Sequence, residues 1–480
     1  MTGQSCFNGQ NYIDGQWRDG AVPFETLNPS DLDEVVGRYS KASPDEVSEA
    51  MDAARRALPA WAAWNMQARA DLLNKVGELI LARKDEIGLL LSREEGKTLP
   101  EATGEAIRAA QCFQYAAGDI VRAQGQWFNS MRDGHNALVT REPVGVVAAI
   151  TPWNYPQALA AMKIGPALAA GCTVVLKPAP ETALDAYAFA DAALDAGLPA
   201  GVINVVPADR DESAYLVAHP GIDKVAFTGS TGAGRAIGQM CGGLLRPVTL
   251  ELGGKSASIV LPDADLDTFV RALPEVSLAN NGQTCHASTR ILAPRARWHE
   301  VVSAVTDTVA ALSIGDPLDR TTAIGPLVSA AQRDRVLGFI ESGRSEGFPI
   351  TTGGGTPQAQ AQGWFVEPTV FADVDNSARI AQEEIFGPVL TITGYDDEDE
   401  AVRIANDSPY GLGGTIWTAD EEHGLAVAAR IETGTIGVNH YALDFASPFG
   451  GVKASGLGRE LGPEGLAPYL TAKSVYFATS

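Results

Sequence analysis

A chain of 480 residues is too long for a single hydrophobic core, so two or three domains are expected. Apolar residues at 45% and charged residues at 20% exclude a disordered or fibrous chain. Lys and Arg number 36 against 59 Asp and Glu, a formal charge of −23 spread along the length without a basic cluster, which excludes nucleic acid as a partner and reads as an acidic, solvated surface.

The opening MTGQSCFNGQNYIDGQW is polar, with neither a basic nor an apolar region of the kind a secretory signal needs. Residues 44 to 122, rich in Ala, Leu, Glu and Arg at helical spacing, predict a helical hairpin or small bundle. The segment from about 124 to 142 reads as a polar, two-stranded excursion. From 144 the texture changes to short apolar runs (VGVVAAI, CTVVLKP, GVINVV, KVAFTGS) alternating with helical stretches, which predicts a parallel sheet with right-handed crossovers. A second alternating region from 256 to about 440 supplies SASIVL, STRILA, TVFADV, VLTITGY, GGTIWT and GTIGVN, so the fold class is α/β with two such units. The tail TAKSVYFATS is a further strand candidate, suited to pairing with the excursion within or between chains. The longest apolar run, 144 to 176, is broken by Pro152, Asn154, Pro156, Lys163 and Pro166, so no membrane span of about 20 residues is expected. The five cysteines, Cys6, Cys112, Cys172, Cys241 and Cys285, are odd in number and scattered, with no C-x-x-C and no zinc-type pairing with the six histidines. A reduced, cytoplasmic setting without a metal site is expected.

Four stretches carry chemistry, and each has a plainer structural reading. After the strand KVAF comes TGSTGAGRAIG, where Gly232, Gly234 and Gly238 stand one residue too far apart for the G-x-G-x-x-G fingerprint. A small-residue turn ahead of a helix still offers N–H groups to a phosphate. In LELGGKS a P-loop fails because Thr249 stands where its first glycine is required, which leaves Glu251 as an acid whose apolar neighbours would raise its pKa toward that of a useful base. The alternative for Glu251 is a surface glutamate at a strand end. AITPWNYP brackets Asn154 with prolines, able to hold its amide rigidly as an oxyanion donor or to serve as a simple turn. LANNGQTCHASTR sets Cys285 in a polar stretch, as a nucleophile, a ligand or a small buried residue. His286 beside it does not make a Cys–His pair, because adjacent residues point in different directions.

Together these stretches match one pattern. PWNYP, VVLKPAPET, FTGSTGAGRAIG, LELGGKS, NNGQTC, EEIFGPVL and PFGGVKASGLGRE occur in the order and at the spacing of the aldehyde dehydrogenase superfamily, which the chain resembles over essentially its whole length. The resemblance implies a Rossmann-type dinucleotide-binding domain (1–121 and 144–252), a second α/β catalytic domain (253–452) and a small β oligomerisation arm (122–143 and 467–480), assembled as a homodimer or homotetramer. It implies Cys285 as nucleophile, Asn154 with the Cys285 backbone N–H as oxyanion donors, and Glu251 as general base. For the cofactor it implies Lys177 on the adenosine ribose, Ser230 facing the diphosphate, Glu384 on the nicotinamide ribose and Phe386 beside the nicotinamide. Ile150, Thr151, Trp153, Glu181, Gly229 and Leu252 complete that set.

The implied reaction is oxidation of a small-molecule aldehyde to the carboxylic acid through a thiohemiacetal and a thioester on Cys285. A coenzyme A-acylating relative and a non-catalytic member of the fold are the rivals; Glu251 favours release by water over transfer to the coenzyme. Two departures matter. Pro180 stands where an acid often grips the adenosine ribose, with Glu181 one place later, so NAD is preferred and NADP remains possible. Leu278 and Ala279 replace bulky aromatics ahead of the nucleophile, which implies a roomy tunnel. With Tyr155, Met162, Thr284, His286, Tyr441 and Phe445 as candidate lining, an apolar aldehyde is expected over a charged semialdehyde.

Overall fold

The valine- and alanine-rich runs form strands with no alternation of inside and outside. In Val146–Ile150, Thr173–Lys177, Ile203–Val205 and Lys224–Thr228 every residue is buried, because helices cover both faces of the sheet. The computed structural model that shows this describes residues 9–20, 22–129 and 131–478. Cys6 and the first eight residues of the stretch read for a secretory signal lie outside the described residues.

These strands and Val248–Glu251 form the parallel core of an eight-stranded sheet, in the order Gly456–Leu457, Val248–Glu251, Lys224–Thr228, Val146–Ile150, Thr173–Lys177, Ile203–Val205, Asn11–Ile13, Gln16–Arg18. The chain runs outward from Val146–Ile150 on one side, then returns to lay Lys224–Thr228 on the other. The strand order therefore reverses between these two, and their carboxyl ends open the crevice where such sheets take ligands. Crossover helices Pro156–Ala170, Tyr187–Ala196 and Thr231–Gly243 begin just beyond those ends.

A second sheet has the order Ile350–Thr352, Thr369–Phe371, Val389–Tyr395, Arg290–Pro294, Ala257–Val260, Gly414–Trp417, Gly437–Val438, parallel throughout except at its first pair. The helical region resolves into Pro44–Ala62, Met66–Ala82, Lys84–Glu95 and Leu99–Ile120. Gly96, at φ 95°, turns the chain out of the third of these in the left-handed conformation that only glycine adopts freely. Buried Ala102, Ala106, Ala109 and Ala116 let the fourth lie close against Pro156–Ala170.

The polar excursion forms Gln126–Asn129 and His135–Pro143, and the tail strand Leu470–Ala478 pairs with the second of these in register from Leu470 opposite Pro143 to Ala478 opposite His135. This pairing is within the chain. Four amino-terminal strands have no counterpart in the sequence reading. Two of them, Asn11–Ile13 and Gln16–Arg18, form a hairpin at the edge of the first sheet, turned by Asp14 and Gly15, both at positive φ. An Asp-Gly pair between short runs is a hairpin signal that the polarity of the segment obscured.

Candidate active site

Four of the candidate stretches lie at carboxyl ends of the first sheet. Trp153 and Asn154 follow Val146–Ile150, Lys177 ends Thr173–Lys177, Gly229 and Ser230 follow Lys224–Thr228, and Glu251 ends Val248–Glu251. The second sheet contributes Cys285 from the connection ahead of Arg290–Pro294, and Glu384 and Phe386 from the one ahead of Val389–Tyr395. A cavity of about 200 Å³ brings Trp153, Asn154, Gly229, Ser230, Leu252, Cys285, Glu384 and Phe386 together. Ile150, Thr151, Lys177, Glu181 and Glu251 lie outside its lining, on the adjoining strand ends.

The nucleophile loop has unusual backbone geometry. Asn280, Asn281 and Gly282 follow one another at φ 52°, 58° and 77°, in the left-handed region that asparagine tolerates better than most side chains. Buried hydrogen bonds hold the loop there. The Asn281 amide donates to the carbonyls of Gly96 and Pro326 at 3.0 and 2.8 Å, and its oxygen accepts from Gly325 N–H at 2.7 Å. The Gln283 oxygen accepts from Val328 N–H at 3.1 Å, and its amide donates to Glu95 at 3.3 Å. Asn154 is buried, and its Nδ2 donates to the Gln283 carbonyl at 2.9 Å. The amide that the turn reading singled out is thus joined to the residue two places before Cys285.

Cys285 is half-buried, and its Sγ lies 4.0 Å from His286 Nδ1. Burial, with the charges of Glu384 and Glu251, pushes the thiol up to about 12. Burial lowers His286 to about 4, so the imidazole is neutral at physiological pH; it stacks on Tyr441 with centroids 4.8 Å apart. Tyr155 OH and Thr284 Oγ1 are 2.7 Å apart. Met162 lies in an adjoining cavity with Cys112, Tyr115 and Leu461, while Phe445 packs against the large core cluster.

Glu251 is buried, not a surface residue, and neither carboxylate oxygen has a hydrogen-bond partner. Burial, reinforced by Glu460, holds its pKa well above the usual carboxylate range, against the opposing pull of Lys163 and Arg459. A carboxyl group with a raised pKa is a stronger base when it ionises. A thiol, such a carboxyl group and a fixed amide around one crevice can carry acyl transfer.

The remaining candidates fit a dinucleotide. Gly229 and Ser230 lead into Thr231–Gly243, with Ser230 capping it through Ala233 N–H at 3.3 Å, a helix start that favours phosphate. A side chain at Gly229 would meet the Phe227 ring at 2.6 Å. Burial lowers Lys177 to about 8. Glu384, raised by burial to about 7, accepts from Gly254 N–H at 3.0 Å. Phe386 is held edge-on to Trp153, with centroids 5.3 Å apart. Tyr39 OH donates to the carbonyl of Pro180 at 2.8 Å and fixes the turn that carries Glu181.

Sequence reasoning passed over several residues. A Cβ at Gly253 would stand 2.4 Å from Glu384 Oε2, and one at Gly254 would stand 2.4 Å from the Cys285 carbonyl, so this glycine pair lets the two sheets' site residues meet. The paired glycines of LELGGKS were the available signal. Lys97 and Glu105, on and beside a helix far from the other candidates, carried none.

The sequence profile of the aldehyde dehydrogenase family matches residues 17–475. A geranial dehydrogenase of Castellaniella defragrans is 51% identical over 473 residues, covering 97% of this chain and 98% of its own. A betaine aldehyde dehydrogenase of Rhizobium etli is 40% identical over 473 residues, covering 97% and 96%. The crystal structure of a betaine aldehyde dehydrogenase of Staphylococcus aureus in complex with NAD+ superimposes with a TM-score of 0.97 at 34% identity, covering 99% of this chain and 96% of that one. The chain belongs to the aldehyde dehydrogenase family. It is an NAD(P)-dependent oxidoreductase that converts an aldehyde to the carboxylic acid through a cysteine-bound thiohemiacetal and thioester. Among the described residues no helix is long and apolar enough to cross a membrane.

Proposed function

We propose that the protein oxidises an apolar, terpenoid-like aldehyde with NAD, using Cys285 as nucleophile, Asn154 and the Cys285 N–H as oxyanion donors, and Glu251 as general base. The observation that carries the catalytic reading is the buried Glu251 carboxyl group, which lacks any hydrogen-bond partner and stands at the strand end next to Leu252, a residue lining the cavity that Cys285 shares. The 51% identity to a geranial dehydrogenase supports the substrate class. So do two of the candidate lining residues: His286 is stacked on Tyr441 and its pKa is lowered by burial, and the Tyr155 hydroxyl is engaged by Thr284.

Cys285 gives up its proton to the ionised Glu251 carboxylate, which passes it to solvent, as sulfur adds to the aldehyde carbon; the thiol's high pKa makes that base necessary. The new alkoxide accepts from the Cys285 N–H and from the Asn154 N–H not committed to Gln283. The nicotinamide cofactor, held by Trp153, Lys177, Gly229, Ser230, Leu252, Glu384 and Phe386 with Ile150, Thr151 and Glu181 beside them, supplies the hydride acceptor. Cys285 then carries a thioester. Glu251 takes a proton from water, the water oxygen adds to the acyl carbon, and collapse frees the acid and the thiolate, which recovers that proton from Glu251.

The dinucleotide-binding domain (1–121 and 144–252) would hold the cofactor, and residues 253–452 would supply the nucleophile. The arm (122–143 and 467–480), whose Trp127, Phe128 and Tyr476 are exposed, would join copies of the chain into a homodimer or homotetramer in the cytoplasm. The test is NADH or NADPH absorbance with terpenoid, aliphatic, aromatic and semialdehyde substrates, beside Cys285→Ala. Turnover that favours the terpenoid and vanishes in Cys285→Ala is expected. A preference for a charged semialdehyde overturns the substrate class, and turnover surviving in Cys285→Ala overturns the mechanism.

A further inference from the structure

The main-chain carbonyl of Asn154 is held by two side chains from distant parts of the chain, Lys97 Nζ at 2.5 Å and Asn280 Nδ2 at 2.7 Å. Lys97 is fully buried. Its ammonium also donates to Glu105 Oε2 at 2.5 Å, lies 3.9 Å from Glu95 Oε2 and stands 4.2 Å over the Tyr155 ring. Burial by itself lowers the lysine's pKa, but Glu105 and Glu95 outweigh it, so Lys97 stays charged.

A buried ammonium is costly unless paired and hydrogen-bonded, and here its partners are parts of the catalytic turn. Glu105 Oε1 accepts from Ala158 N–H at 3.1 Å, in the first turn of the helix that follows Asn154. Glu95 accepts from the Lys97 N–H at 3.0 Å and from Gln283 Nε2 at 3.3 Å, and Gln283 in turn accepts the Asn154 amide at 2.9 Å. A closed ring of contacts thus runs from Lys97 to the Asn154 carbonyl, from the Asn154 amide to Gln283, and from Gln283 through Glu95 back to Lys97. The amide is tethered at both ends, and the same ring reaches the loop bearing Cys285.

We propose that Lys97 is a positioning residue for aldehyde oxidation, setting the Asn154 amide and the nucleophile loop in the geometry that receives the alkoxide. This rests on the reading of Asn154 as oxyanion donor. Misplacing such a donor by about 1 Å costs on the order of 10²-fold in rate. Because Lys97 acts through Asn154, its removal adds nothing once the Asn154 amide is gone.

The experiment is a mutant cycle of Asn154→Ala, the pair Lys97→Met/Glu105→Gln, and the triple variant, reading kcat at saturating substrates, NAD+ affinity and thermal unfolding. The pair is changed together so that the Glu105 carboxylate is not left buried without its ammonium. Asn154→Ala is expected to lose about 10²–10³-fold in kcat, the pair about 10²-fold with NAD+ affinity unchanged, and the triple variant no more than Asn154→Ala alone. Multiplicative losses, or a pair that keeps wild-type kcat, overturn the inference while leaving the Asn154 reading intact. Wild-type kcat in Asn154→Ala overturns that reading and the inference with it. If the pair does not fold, Lys97→Arg retains the charge but displaces the donor; a fall in kcat at unchanged NAD+ affinity supports the inference, and wild-type kcat overturns it.

Discussion

The two halves of the site are built in opposite ways. On the nucleophile side, the Asn281 and Gln283 side chains donate and accept through both their amide nitrogen and oxygen, to main-chain or carboxylate groups that are themselves buried. On the acid side, Glu251 is equally buried and has no hydrogen bond at either oxygen. The first arrangement fixes a geometry that must not change as charge develops on the substrate oxygen, which is where preorganised donors act. The second keeps a carboxyl group free of fixed partners, so that it can meet first a thiol and later a water. Buried polar groups without partners are rare, and one beside a nucleophile is where function outweighs stability.

Removing the Cys285 thiol, the proposed nucleophile, is the most severe break of this contrast. Cys285→Ala is expected to lower NADH formation on the order of 10⁴-fold or more. The loop is held by Asn281 and Gln283 and not by the thiol, so the variant's unfolding temperature should match the wild type. A large drop in that temperature would show that Cys285 is a packing residue as well.

Removing the Glu251 carboxylate tests whether one group serves both steps of the proposed mechanism. Glu251→Gln is expected to slow the first NADH per site as well as later turnovers, by about 10²–10⁴-fold. Stopped-flow absorbance with detection of the acylated enzyme by mass spectrometry checks this; a first turnover at the wild-type rate followed by accumulation of the thioester would confine Glu251 to the water step. The pH dependence follows from the direction of the shifts. Burial and Glu460 raise Glu251, and burial with Glu384 and Glu251 raises Cys285 to about 12. In the proposed mechanism both groups work deprotonated, so kcat should climb with pH into the alkaline range. A flat profile from pH 5 upward contradicts it.

Much of this was legible in the sequence, for reasons specific to each part. The parallel strands showed because burial on both faces leaves unbroken apolar runs, as in VVAAI and TVVLK. The pairing of tail and excursion was readable from polarity and turn residues alone. Cys285, Glu251 and Asn154 stand out as a set because the resemblance orders them, not because any one is distinctive. The amino-terminal hairpin was missed because its strands are three residues long, too short for a period of two to show. The ring around Lys97 was missed because it joins residues 95, 97, 154 and 283, and no local pattern reports contacts across such separations.

A milder change sharpens the account of the rigid side. Asn281→Ala removes a donor to two buried carbonyls, strands the Gly325 N–H, and leaves a residue without a stabilising side chain at φ 58°. A loss of roughly 3 kcal/mol in unfolding free energy is expected. Denaturant titration measures it; a loss below about 1 kcal/mol would mean that the loop keeps its shape without these bonds.

The smallest expected effect concerns the residue nearest the thiol. His286 Nδ1 lies 4.0 Å from Cys285 Sγ, which invites a role as the base. Its pKa argues otherwise: burial, with Arg108 adding to it, takes the imidazole down to about 4, so it accepts a proton only weakly, while the thiol at about 12 gives one up reluctantly. Its face is engaged by Tyr441, and a phenylalanine there would preserve the stack. His286→Phe is therefore expected to keep kcat/KM for an apolar aldehyde within about threefold, as near-isosteric swaps do, with the shape of the pH profile unchanged. The profile is the sharper readout, because a wall residue and a base both affect rate but only a base removes a titration. Loss of the rise in kcat with pH in His286→Phe would transfer the proton from Glu251 to His286.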